Sequence, residues 1–251
     1  IYPVIAIPTT AGTGSETGRA GVFTKEDTHE KKIIFHPKML PEIVILDPDL
    51  TLALPPSLTA FTGMDVLAHC IEAYSSPFYH PMAEGTALEG FRLVKENLLE
   101  VFHNGSNVEA RSHMLVASMM GAAAFQKGLG AIHSITHPVN AIYHTHHGTT
   151  NGVVMPFVLH FNKKKVEDKI IRLSKFLDIS GGFDGILDWI NSLKKEMNIP
   201  HTLKDMGVNE GDEIKLAPLA QEDPSTGGNP VEMTEEKFKI LIKDCIEGNY
   251  S

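Results

Sequence analysis

The chain has 251 residues, 42% of them hydrophobic, and 31 acidic against 22 basic side chains give it a formal charge of −9. A chain of this size buries roughly 70–75% of the surface it exposes when unfolded, which excludes a low-complexity polymer, and the acidic balance argues against nucleic acid or an anionic membrane as the main partner. No apolar run reaches the ~18 residues of a membrane span and no basic segment precedes an apolar one at the start, so a cytoplasmic location is expected. Cys70 and Cys245 form no CxxC site and fit a reducing compartment.

Four β-type runs, at 4–7, 20–24, 32–35 and 43–47, fall within the first 50 residues, and only helical patterns follow. This predicts an α/β portion over 1–54 and an all-helical portion over 55–251. Pro55-Pro56 marks the change, and Ser57 is expected to cap a helix to about residue 76 with Leu58, Phe61, Met64, Leu67 and Ile71 as its apolar positions. Pro81 opens a second helix. A third starts at a capping box, Ser106 with Glu109, and ends at the glycines 128–130. Further helices are expected at 153–162, 166–177, 183–197, 209–221 and 234–246, separated by Gly, Pro and Asn. Four strands make a small sheet with exposed edges; upstream residues or another chain are expected to cover it, which makes a homo-oligomer the expected state.

Histidine is the unusual residue, at 13. His133, His137, His144, His146 and His147 lie within 15 residues, and the first two, four apart, share a helix face. Imidazoles converging from a helix and a loop suit a metal, although a polar surface or a hydrogen-bonded core would also use them. Gly63-Met64-Asp65-Val66-Leu67-Ala68-His69 adds a second element. Asp65 and His69 are i and i+4 in an apolar helix, about 6 Å apart along its axis, and an unpaired buried carboxylate would be costly. One carboxylate oxygen with imidazole nitrogens suits Fe(II) or Zn(II) and not Mg²⁺ or Ca²⁺. Spacing alone does not choose between His137 and His147 as a ligand.

The first strand runs into Pro8-Thr9-Thr10-Ala11-Gly12-Thr13-Gly14-Ser15-Glu16, a loop of hydroxyls and small residues able to approach phosphates or a sugar. It is not a dinucleotide fingerprint, because the third glycine of G-x-G-x-x-G would fall on Thr17, and it has no Walker lysine. An ordinary turn after an edge strand reads the same way. Lys31-Lys32 follows as a candidate for neutralising an anion.

Together these stretches resemble the iron-containing (group III) alcohol dehydrogenase family. The resemblance rests on the Thr/Gly loop, on residues 63–69, on His133-Ser134-Ile135-Thr136-His137-Pro138, and on His147-Gly148-Thr149-Thr150-Asn151. It is extended by Leu46-Asp47-Pro48-Asp49 and Asp223-Pro224-Ser225-Thr226-Gly227-Gly228-Asn229-Pro230, and it spans essentially the whole chain. It implies a partial dinucleotide-binding sheet followed by a helical metal-binding domain of the dehydroquinate synthase-like type. It implies a metal, Fe(II) or alternatively Zn(II), held by Asp65, His69, His133 and His147, with His137 on the substrate and nicotinamide side as proton relay. Thr9, Thr10, Gly12, Thr13 and Lys32 are implied to contact NAD or NADP. The implied reaction interconverts a small primary alcohol and its aldehyde, with Ile132, Ile135 and Ile142 as apolar neighbours. The family's early strands and Gly-Gly-Gly-Ser loop have no counterpart in this sequence, so a truncated, inactive metal-binding domain is the competing expectation, beside a polyol dehydrogenase on the same scaffold.

Overall fold

The structure, a computed structural model, describes residues 2–24, 26 and 31–250. Its elements are β1 (Ile5–Ala6), β2 (Ala20–Thr24), β3 (Lys31–Phe35) and β4 (Ile43–Val44), then α1 (Pro56–Ser75), α2 (Pro81–His103), α3 (Val108–Ala124), α4 (Ala131–Tyr143), α5 (His147–Phe161), α6 (Lys163–Phe176), α7 (Gly182–Glu196), α8 (Glu213–Glu222) and α9 (Glu235–Glu247). The expected order of partial α/β followed by helices is what the chain adopts. Among the described residues no single helix is long and apolar enough to cross a membrane.

The strands form two separate pairs instead of the one small sheet expected. β1 lies parallel to β4, with Ile5 opposite Ile43, while β2 and β3 pair antiparallel, with Ala20 opposite Phe35. A parallel pair needs a long crossover, and here β2 and β3 occupy that crossover as a ribbon of their own. Parallel sheets are ordinarily covered on both faces, yet Ile5, Ile7, Ile43 and Ile45 are all largely exposed. The segment is therefore anchored elsewhere, through the loop after β1. A Cβ at Gly12 would stand 2.9 Å from Thr62 of α1, and one at Gly14 would stand 2.4 Å from the Ser118 carbonyl of α3. Gly14 also has φ of 62°, the left-handed region that favours glycine. Ser118 Oγ donates to the Gly12 carbonyl at 2.9 Å, and Ala11 enters the helical core.

α1 is buried nearly all round, as a helix apolar on every face must be, and it packs against α2, α3 and α5. Its start differs from expectation: Pro56 takes the first helical position and Ser57 makes no capping bond. The ring fixes φ in advance, which suits that position. α3 is capped by Asn107, whose side chain accepts from the Ala110 amide at 3.0 Å, and not by Ser106 with Glu109. Ser106 turns instead to Asn104 at 2.8 Å. α5 begins at His147, well before the expected residue 153, because Gly148 and Gly152 read as helix breakers but serve close packing inside the helix. α8 likewise begins four residues late, at Glu213.

Lys194 of α7 is buried, and its amine reaches only carbonyls, Val153 at 3.4 Å and His201 at 3.3 Å. Burial pulls its pKa from 10.5 down to about 8. Below that pH the ammonium is present in both folded and unfolded chains and its burial cost is complete. Between pH 8 and 10.5 only the unfolded chain keeps the proton, so stability rises with pH. Compared with Lys194→Met, the wild-type unfolding free energy should gain about 2–3 kcal/mol between pH 7.5 and 10, read by urea denaturation of both proteins across that range.

Candidate metal centre

Three helices converge on one carboxylate oxygen. Asp65 lies in the middle of α1, His133 in the first turn of α4 and His147 at the first position of α5. One ligand atom from each lies within 4.8 Å of the other two. Asp65 Oδ1 is 3.9 Å from His133 Nε2, 3.5 Å from His147 Nε2 and 3.6 Å from His69 Nε2. Ligand atoms bound at about 2.1 Å to a tetrahedral ion stand about 3.4 Å apart, so the spacing fits a first-row cation among them. His69 sits at the side of this group: its ring stacks on that of His133 at 5.0 Å and 11°, and its Nδ1 is a buried atom without a hydrogen-bond partner.

The other nitrogen of each of the two convergent imidazoles is held by a second residue. His133 Nδ1 is 2.6 Å from Glu72 Oε2, and His147 Nδ1 is 3.0 Å from Asn140 Oδ1. Such partners restrain the ring angle and keep Nε2 of each imidazole on the side of Asp65. The Asn140 amide nitrogen donates to Thr145 and Thr150, so its oxygen is the atom left for His147. Asn151 Nδ2 donates to Asp65 Oδ1 at 2.8 Å and lies 3.3 Å from His133 Nε2.

The electrostatics favour a cation. Burial by itself raises the Asp65 carboxyl, but the attraction of His69, His147 and His133 and the Asn151 hydrogen bond outweigh it and hold it below its ordinary value. Burial brings His69 down to about 4 and His147 down to about 3, against the opposing pull of Asp65, so both are neutral at pH 7 with nitrogens free to coordinate. His133 is desolvated too, yet the attraction and hydrogen bond of Glu72, with Asp65 and Asp223 behind them, hold it above its ordinary value.

His137 stands one helical turn after His133, its ring stacked on His147 at 5.6 Å and one-third exposed. Its Nδ1 is 2.7 Å from Asp223 Oδ2. Burial raises the Asp223 carboxyl, and the hydrogen bonds and charge of His137 and the Ser225 amide outweigh this and keep it low. The segment 223–230 thus scaffolds α4: Thr226 meets Ser134 at 2.8 Å, and Asn229 accepts from the Ala131 amide at 3.3 Å.

Of the other residues singled out from the sequence, Thr9, Thr10 and Thr13 are exposed on the loop after β1, and Gly12 is buried against α1. Lys32 lies in β3, and its side chain falls outside the described residues. His144 and His146 are exposed, the former as the left-handed cap of α4. Ile132 and Ile135 are fully buried and Ile142 is exposed, so the three form no common apolar lining. Both cysteines are buried outside the group, and burial lifts Cys70 to about 12. Sequence reasoning missed Glu72, Asn140 and the partnership of Asp223 with His137. Glu72 had a signal, since it falls seven residues after Asp65 and three after His69, on one helix face.

Comparison with known proteins agrees with this geometry. Residues 59–246 match the family described as Fe-containing alcohol dehydrogenase family, C-terminal, and residues 1–48 match Iron-containing alcohol dehydrogenase. The chain is 38% identical to a 4-hydroxybutyrate dehydrogenase of Cupriavidus necator and 35% identical to an NAD-dependent methanol dehydrogenase of Bacillus methanolicus. The alignments cover 97% and 98% of this chain but only 66% and 67% of those relatives, so it spans about two-thirds of their length. A crystal structure of 1,3-propanediol oxidoreductase superposes with a TM-score of 0.93 at 32% identity, covering 97% of this chain and 66% of that one.

The approach of α5 to α1 depends on Gly148, where a Cβ would stand 1.9 Å from the Phe61 carbonyl, one turn before Asp65. Gly148→Ala should cost about 1–3 kcal/mol in urea denaturation and weaken Co²⁺ binding as His147 is pushed from Asp65. Gly85→Ala, on the exposed face of α2 with nothing within 4 Å, should instead stabilise by about 0.5–1 kcal/mol and leave Co²⁺ binding unchanged.

Proposed function

The chain belongs to the iron-containing alcohol dehydrogenase family, and on that premise we propose that it serves an NAD(P)-linked, metal-dependent dehydrogenase interconverting a small primary alcohol and its aldehyde. The observation that carries this reading is the set of three imidazole Nε2 atoms at 3.5–3.9 Å around Asp65 Oδ1. Asp65, His69, His133 and His147 would hold the ion, Fe(II) or Zn(II), His69 standing beside the other three with its ring stacked on His133. When bound, the divalent ion would supply Lewis acidity toward an alcohol hydroxyl and NAD or NADP would supply hydride-transfer capacity.

The chain's own groups then handle the proton and the positions. With Nδ1 committed to Asp223, His137 presents Nε2 as a proton acceptor at the edge of the group, and its partial exposure gives the proton a route outward. Asp223 stabilises the charged imidazole that results. The exposed hydroxyls of Thr9, Thr10 and Thr13 would face the dinucleotide, and Gly12 lets their loop seat on α1; Lys32 is proposed as a phosphate contact from the sequence alone. Residues 1–54 are the cofactor-facing portion and 55–251 the metal-holding one. A small primary alcohol as substrate is supported by the relatives, whose names specify 4-hydroxybutyrate, methanol and 1,3-propanediol.

Two measurements test this. Metal content after anaerobic reconstitution should be one ion per chain in wild type and in His137→Ala, and close to zero in Asp65→Ala and His147→Ala; equal loss in all three would overturn the division between ligands and proton relay. Titration of the metal-loaded chain with NADH and NADPH should give saturable nicotinamide fluorescence for one of them. Metal binding with no response to either would instead leave a non-catalytic metal-binding domain.

A further inference from the structure

Glu72 is a buried carboxyl group to which the reading above gives no part in chemistry, and it makes two kinds of contact at once. Its Oε1 accepts from the Ile132 amide at 2.7 Å and approaches that of His133 at 3.4 Å, while Oε2 lies 2.6 Å from His133 Nδ1. The first set satisfies the N-terminal amides of α4, a helix whose cap residue, Gly130, has no side chain to do so. A Cβ at Gly130 would itself stand 3.2 Å from Glu72 Oε1, so the bare cap makes room for the carboxyl arriving from α1.

We propose that Glu72 is a positioning residue for the metal centre: by accepting both the Ile132 amide and the His133 Nδ1–H, it fixes His133 in the tautomer whose Nε2 lone pair faces Asp65. The proposal rests on the reading of Asp65, His133 and His147 as metal ligands. An ionised carboxylate is acceptor-only, and here one oxygen faces backbone N–H groups while the other faces the imidazole. The backbone N–H of Ile132 cannot change its role, so whichever atom faces it must be an acceptor. The remaining atom faces the imidazole and decides its tautomer. The same contacts tie the His133 ring to the α4 backbone that carries it, which removes the rotation that would carry Nε2 away from Asp65. Asp65, His69 and Glu72 share one face of α1, so a single helix supplies the carboxylate that meets the ion and the carboxyl group that aims another helix's ligand.

Glu72→Gln is the discriminating substitution, because it is isosteric and keeps one acceptor. Its oxygen must stay on the Ile132 amide, its NH₂ then donates to His133 Nδ1, and the imidazole proton moves to Nε2, the atom needed by the ion. With metal-free, ¹⁵N-histidine-labelled protein, at a pH raised until His133 no longer carries both ring protons, NMR should show it protonated on Nδ1 in wild type and on Nε2 in Glu72→Gln. Co²⁺ titrations followed by visible absorption should show affinity about 10–100-fold weaker in the variant. Asn229→Ala, which removes the other side-chain partner of the first turn of α4 without touching His133, should keep the wild-type tautomer and lose less Co²⁺ affinity. A wild-type His133 protonated on Nε2 would overturn the proposal even if no variant folds. So would unchanged Co²⁺ affinity in Glu72→Gln while Asp65→Ala loses the ion. If Asp65→Ala and His147→Ala both retain Co²⁺, it is the metal-ligand reading that fails, and the tautomer measurement still judges Glu72.

Discussion

A carboxyl group in the middle of an otherwise apolar helix is the constraint from which the rest of this site follows. Desolvation alone would penalise the charged form of Asp65 by several kcal/mol, and the fold answers with polar groups drawn from two other helices. His133 arrives on α4, His147 and Asn151 arrive on α5, and His69 comes from the next turn of α1 itself. None of these groups satisfies Asp65 completely, because the imidazole nitrogens stand 3.5–3.9 Å away, outside good hydrogen-bonding distance. Several lone pairs gathered around one carboxylate at that spacing lack a positive charge, and a bound cation is the simplest way to supply it.

That arrangement needs backbone proximity more than it needs side-chain strength. Gly148 and Gly152 bring α5 onto Phe61 and Met64 of α1, and Gly121 brings α3 to within 3.3 Å of the His69 Cβ as measured from an added methyl position. Each glycine sits within helical turns that carry or touch a candidate ligand. The cost of glycine in a helix interior, roughly 0.5–1 kcal/mol relative to alanine, is offset most clearly at Gly148, where an added Cβ would stand 1.9 Å from the Phe61 carbonyl, and the approaches at Gly152 and Gly121 are also tight. The structure therefore spends helix propensity where the chemistry requires two backbones to meet.

The same glycines explain what could and could not be read from the sequence. Pairs such as Asp65 with His69 and His133 with His137 declare themselves, because an i to i+4 spacing of polar groups within an apolar stretch has few structural uses. The helical layout after residue 55 was legible from periodicity for a similar reason. The start of α5 was not, since Gly148 and Gly152 carry the local signature of a loop and only tertiary contact with α1 reveals them as helix. Glu72 was passed over because a single glutamate near the end of a helix ordinarily faces water, and nothing in α1 alone announces that the N-terminus of α4 lies against it. Asn140 and Asp223 fail to stand out for the same physical reason: their roles are defined by a partner far away in sequence or across a turn. The separation of the strands into a parallel pair and an antiparallel ribbon was equally hidden, as strand-like composition does not specify which edges meet.

One turn of α1 links the two halves of the proposed chemistry. Phe61 receives Gly148 of α5, Thr62 receives Gly12 of the loop after β1, and Asp65 follows immediately on the same helix. On the reading that this loop faces a dinucleotide, the loop and the Asp65 carboxylate are held relative to each other through residues 61–65, a span of about 6 Å along a rigid helix. Hydride transfer requires reacting atoms to be held within about 3–3.5 Å, a tolerance that a flexible connection could not maintain. His137 is treated differently: it sits at the edge, one-third exposed and steadied by Asp223, where a proton can leave. On the proposed reading the buried side of the centre fixes geometry and the open side handles exchange, and α4 serves both because His133 and His137 lie one turn apart on it.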